Sequence, residues 1–246
     1  MDGAAARETV TVAALFVETN GVYFGLPNVD PWDKQRDART YRGPHRVIAH
    51  PPCERWGRYW GGAPWQTERK TKGDDSGCFA AALAAVREFG GVLEHPEASH
   101  AWEAFDLIAP PRCGGWVVAD WHGGWSCCIE QGQYGHPARK ATWLYAHGID
   151  LPSLRWGHAP GAFNLLDEGY HSKVERARKI KTGICQRLSA RQCAATPIEF
   201  RDLLISMVSE PDDYDATDDF ARSIEEAYRV IRERKANGGK GWGGWE

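Results

Sequence analysis

The apolar run Val47-Ile48-Ala49 stops at Pro51-Pro52, and a single thiol, Cys53, follows at once. No other stretch restricts the fold so tightly. Two adjacent prolines neither continue a ladder nor open a helix, so the chain must leave the strand as a rigid extended turn. A cysteine just past a strand end sits where α/β sheets place their reactive groups. Arg46, Arg55 and Arg58 surround it in sequence, and their charge predicts a thiolate, the nucleophilic form. The competing expectation is a buried structural cysteine, because free Cys is among the most buried residue types.

The surrounding pattern alternates strands and helices. Strands are expected over 11–17, 47–49, 92–93, 116–119, 126–129 and 142–146, and helices over 76–89 (capped by Ser76), 99–105 and 197–208. Asn20-Gly21 predicts a hairpin turn with 22–24 returning as a strand. Residues 25–41 read as a polar loop, 60–75 as a long binding loop, 172–181 as a basic helix, and 220–235 as a helix before a Gly/Trp-rich tail. The fold class is therefore α/β: a reduced Rossmann-like, mostly parallel sheet with helices on both faces and a small helical C-terminal region. Three parts follow: a catalytic domain over 9–150, an irregular and helical extension over 151–208, and an acidic linker, helix and tail over 209–246.

The net charge of −3 does not announce a nucleic-acid binder, but positive charge is concentrated. Residues 42–72 hold seven Arg/Lys against two Glu, interleaved with Trp, a combination suited to gripping a strand and its bases. A solvated face is the alternative for such a run. Seven cysteines is an odd number, and the chain has no signal peptide or apolar span, so it reads as cytoplasmic with reduced thiols and no membrane partner. Cys113, Cys127, Cys128, His122 and His136 match no common zinc spacing, so no metal is expected.

Three segments then line up. His50-Pro51-Pro52-Cys53 resembles the Pro-Cys motif of cytosine carbon-5 DNA methyltransferases. Leu93-Glu94-His95-Pro96 resembles their Glu-Asn motif, and residues 134–140, Tyr-Gly-His-Pro-Ala-Arg-Lys, resemble their Tyr-Gly-x-Pro-Gln-x-Arg segment. The order matches, with 41 residues from Cys53 to Glu94 and 40 more to Tyr134. The likeness covers residues 45–146. It implies that Cys53 adds to carbon-6 of a pyrimidine and turns carbon-5 into a nucleophile. It implies that Glu94 holds the base edge and that Arg139 or Lys140 binds the base carbonyl or a flanking phosphate. The base must be flipped or single-stranded to be reached. Arg55, Trp56, Arg58, Trp60, Arg69, Lys70, His95 and Tyr134 are the expected DNA contacts.

The likeness has gaps. The family binds S-adenosylmethionine on a Gly-rich loop after the first strand, whereas here the strand ending near Phe16 runs into Glu18-Thr19-Asn20-Gly21. Phe16, Asp30 and Asp33 remain as candidates to bind the cofactor, the two carboxylates at its ribose. His95 replaces the usual Asn and Ala138 the usual Gln, and no large target-recognition domain is present. Three functions stay open. The chain alters carbon-5 without S-adenosylmethionine in the usual pocket, with or without a partner subunit. It is a methyltransferase with a rebuilt cofactor site. Or it is an inactive DNA-binding module. Its size and Trp content resemble those of modification enzymes carried by bacteriophages.

Overall fold

The structure, a computed structural model, describes residues 12–62, 70–160 and 188–209, together with Val174 and Ala177. The acidic linker, the helix expected at 220–235 and the tail lie outside the described residues, as does most of the basic helix expected at 172–181.

The elements in chain order are β1 (Val12–Leu15), β2 (Val29–Trp32), β3 (Arg46–Ala49), α1 (Cys78–Phe89), β4 (Gly91–Pro96), α2 (His100–Ala104), β5 (Val117–Val118), β6 (Trp125–Glu130), β7 (Ala141–His147), α3 (Ala190–Ala194) and α4 (Ile198–Ser209). The seven strands form one sheet in the order β2-β1-β3-β4-β7-β6-β5. Strands β2, β1, β3 and β4 are parallel to one another. From β4 outward every pairing is antiparallel. The sheet is thus mixed, which corrects the expectation of a mostly parallel one. The links from β5 to β6 and from β6 to β7 are too short for crossovers, so these strands must reverse direction.

Three local expectations also change. Residues 22–24 form turns instead of a returning strand. The loop expected at 25–41 supplies β2, paired with β1 and carrying Pro31. Proline donates nothing to a ladder and is tolerated because β2 is an edge strand. The cap of α1 comes from Asp75, whose carboxylate accepts from the backbone N–H of Gly77 (2.9 Å) and Phe79 (2.8 Å), and not from Ser76.

Alternation along the strands sends apolar side chains to both faces. On one face Leu15, Ala49, Leu93 and Tyr145 pack with Phe79, Leu83 and Val86 of α1 and Trp102 of α2. On the other, Val12, Ile48, Val92 and Leu144 pack with Phe200, Leu204, Met207 and Val208 of α4. Each large apolar side chain buried in this way contributes about 1.5–3 kcal/mol. Helices therefore cover both faces, although β1 is followed by turns. The face that a helix after β1 would cover is taken by α4, from the far end of the described chain.

Gly91 opens β4 at φ 134°, and a Cβ there would lie 1.9 Å from the carbonyl oxygen of Val47. Only glycine lets β4 approach β3 this closely. Gly91→Ala should lower stability by about 3 kcal/mol or more, read from the urea midpoint. A shift under about 1 kcal/mol would contradict this close approach.

Candidate active site

The ends of β3 and β4 and the start of β7 lie on one edge of the sheet, with Pro96 opposite Thr142. Cys53 stands just past β3, Glu94 lies within β4, and Lys140 immediately precedes β7. The turn that presents Cys53 is firmly built. The Cys53 carbonyl accepts from Trp56 N (3.0 Å) and Gly57 N (2.7 Å). Trp56 is buried against Phe79 and Phe105, and its indole N–H donates to Asp75 (2.8 Å). Cys53 itself is exposed.

Behind Cys53 runs a chain of hydrogen bonds. Tyr23 O–H meets His50 Nε2 at 2.9 Å, and His50 Nδ1 meets Glu94 Oε2 at 3.1 Å. Gln131 Nε2 donates to Glu94 Oε1 (3.1 Å) and to Thr142 Oγ1 (3.0 Å). Burial alone would raise the Glu94 carboxyl, but the His50 hydrogen bond and the nearby Lys140 charge outweigh it and hold the group down to about 2. Glu94 is therefore an anion that only accepts hydrogen bonds. Burial, reinforced by Glu94, pushes the Tyr23 phenol well above its ordinary range, so it keeps its proton.

Cys53, Glu94 and Lys140 act on one another electrostatically. Although Cys53 is exposed, crowding around its sulfur raises the thiol through desolvation; Glu94 adds to the rise and Lys140 opposes it. This corrects the expectation that Arg46, Arg55 and Arg58 would hold a thiolate: the opposing cation is Lys140, and the resting sulfur is a thiol. Lys140 is itself lowered by desolvation. It adopts φ 45°, and its ammonium donates to the carbonyls of Ala194 (3.3 Å) and Ala195 (3.1 Å) at the end of α3.

The other expected contacts divide. Trp56, His95 and Tyr134 are buried, at 7%, 0% and 4% exposure, and are corrected from DNA contacts to parts of the framework. Tyr134 packs on Phe200, and its hydroxyl accepts from Arg155 N (2.9 Å). His95 lies between Phe79 and Trp102, with Nδ1 2.7 Å from Ser99 Oγ. Arg58 is exposed, while Trp60 and Lys70 are half-buried on the stretch that follows Cys53. Arg55 is half-buried, with one guanidinium nitrogen buried and unpartnered. Arg69 lies outside the described residues. Arg139 is half exposed, 3.8 Å from Glu130.

The residues proposed for the cofactor already have partners within the fold. The Asp33 carboxylate, on a residue 5% exposed, already accepts from Thr19 Oγ1 (2.6 Å) and from the backbone N–H of Gln35 and Arg36. Asp30 is occupied by the Trp32 indole N–H and the Arg36 guanidinium. Phe16, half-buried at φ 60°, packs against the core. Tyr23, His50, Gln131 and Thr142 were not assigned a role from sequence; of these, only His50 stood inside a recognised motif.

Burial pushes the His95 imidazole down to about 4, with Glu94 only partly opposing. The folded protein therefore binds fewer protons at this site than the unfolded chain between pH 6.5 and 4. Stability from this site is fully present above pH 6.5 and is lost as pH falls through that window. His95→Gln should flatten the fall in melting temperature between pH 7 and 4. An unchanged pH slope would contradict the assignment.

No protein-family model and no curated protein matches this chain.

Proposed function

We propose that this chain modifies a cytosine in DNA through a Cys53 adduct at carbon-6. The observation that carries the proposal is the meeting of Cys53 from just past β3, Glu94 from within β4 and Lys140 from just before β7. The strand order supports it. The chain turns from β1 to β2 on one side and to β3 on the other, so the crevice between the ends of β1 and β3 is a switch point, where open sheets of Rossmann type bind ligands. The reversed strand β7 beside β4 brings Lys140 and Thr142 to the same rim.

The chemistry follows from the side chains. The exposed Cys53 thiol gives its proton to solvent, its sulfur attacks carbon-6, and the ring's double-bond electrons move to carbon-5 and onto the carbonyl and N3. Lys140 offsets the charge on the carbonyl, and Glu94 holds the edge that carries the amine. Carbon-5 then takes an electrophile. Loss of the carbon-5 proton and expulsion of the thiolate restore the ring. The exposed Arg58 and the cation-rich run that follows Cys53 suit the phosphates of a flipped or single-stranded nucleotide.

Because solvent can supply the carbon-5 electrophile, the adduct is testable without a group donor. Cytosine in a single-stranded oligonucleotide should gain one deuterium at carbon-5 when incubated with the protein in heavy water, as read by mass spectrometry. No gain on single-stranded or duplex DNA would defeat the proposal. Calorimetric titration with S-adenosylmethionine tests the related function: micromolar binding would make the chain a methyltransferase with a cofactor site built from residues other than Asp30 and Asp33.

A further inference from the structure

Glu94 contacts both His50 and Gln131, yet it is poorly suited to hold a proton itself. We propose that His50, acting through Glu94, carries the proton that the base ring gains when Cys53 attacks and returns when the sulfur leaves. This rests on the function proposed above and identifies how its proton moves.

The hydrogen bonds leave little freedom. Gln131 spends both amide protons on Glu94 and Thr142, so it offers an N–H that cannot be transferred. The other Glu94 oxygen meets His50 Nδ1. Of the two neighbours hydrogen-bonded to Glu94, His50 alone exchanges protons readily. Behind it, the Tyr23 hydroxyl meets Nε2 and can serve either form of the ring, donating to a neutral imidazole or accepting from an imidazolium.

Attack on carbon-6 leaves electron density on N3. A proton moves from His50 Nδ1 to Glu94 and from Glu94 to N3, so the imidazolium becomes neutral as the ring becomes a neutral adduct. Expulsion of the thiolate reverses both transfers. No oxidant or further reactant is needed. The ionisable groups near His50 are Glu94 from β4, Tyr23 from the turns after β1, Cys53 beyond β3, Lys140 before β7, and Arg201 and Asp202 of α4, which act through Tyr23. His95 lies on the opposite face of β4 and also acts on Glu94. His50 does not touch the base in this scheme and is a positioning residue.

The test uses carbon-5 deuterium exchange by the full chain. His50→Gln keeps an N–H for Glu94 but cannot carry a proton, and it should slow exchange about 10²–10⁴-fold while oligonucleotide binding is unchanged. His50→Ala should be equally slow and should recover at least tenfold with added imidazole. Tyr23→Phe keeps the ring but loses the hydroxyl, and exchange should fall about tenfold. If the wild type exchanges and His50→Gln exchanges at a similar rate, the proton-carrier role is overturned and the function stands. Failure of imidazole to rescue His50→Ala, with fold and binding intact, also overturns it. If the wild type shows no exchange, both the function and the carrier role fall together.

Discussion

Cys53→Ser should abolish carbon-5 exchange, by a factor of at least about 10⁴, while leaving the melting temperature and oligonucleotide affinity nearly unchanged. The expected effect is that large because a serine hydroxyl is a far weaker nucleophile than a thiol and ionises far less readily. The stability effect should be small because Cys53 is exposed, and the bonds that shape its turn use its backbone carbonyl. Exchange that survives in the serine variant would show that the nucleophile lies elsewhere. Loss of folding in that variant would show that the thiol is structural.

Glu94→Gln should move two measurements in opposite directions. Carbon-5 exchange should drop by about 10²–10³-fold, since the carboxylate that holds the base edge and passes the proton is gone. Alkylation of Cys53 by iodoacetamide near pH 7 should become faster, by about three- to tenfold. Desolvation and Glu94 both raise the thiol while Lys140 opposes them, so removing Glu94 takes away one of the raising influences and more sulfur is ionised. Lys140→Met should slow the same alkylation. A merely structural Glu94 would lower activity through unfolding and would not speed up a reaction at the neighbouring sulfur. Equal alkylation rates in wild type and Glu94→Gln would overturn the electrostatic link between the two residues.

How much of this was legible in the sequence depended on what kind of signal each residue left. The β3 strand, the Pro-Pro stop and the placing of Cys53 just past β3 came through because they rest on local pattern and on two prolines, whereas Glu94, expected at a strand end, lies inside β4. Helices α1, α2 and α4 came through for the same reason. The missed strand β2 contains Asp30 and Pro31, which count against a strand by propensity, and only its edge position makes it possible. Exposure was the main failure. Trp56 was placed on DNA by its cation-rich run and His95 and Tyr134 by the motif likeness, whereas the fold buries all three and uses their polar atoms on Asp75, Ser99 and Arg155. Tyr23 and Gln131 were invisible because each joins the site through folding contacts, at separations of 27 and 37 residues, and no motif marks them. The thiol's ionisation was misjudged because charges nearby in sequence were weighed and burial of the sulfur was not, and desolvation is the largest influence on it.

Helix α4 meets residues near the start of the described chain: Arg46 Nη1 donates to the Val208 carbonyl across 162 residues, and Arg201 Nη1 donates to Val22 across 179. At a synthesis rate of about 5–20 residues per second, one face of β1 and β3 waits on the order of ten seconds on the ribosome for its cover. The nascent polypeptide therefore carries part of this apolar face without its helix while residues 50–197 are made. Contacts this distant in sequence also slow spontaneous refolding. Production of this protein should accordingly depend on chaperones and on cool growth more than its finished packing would suggest.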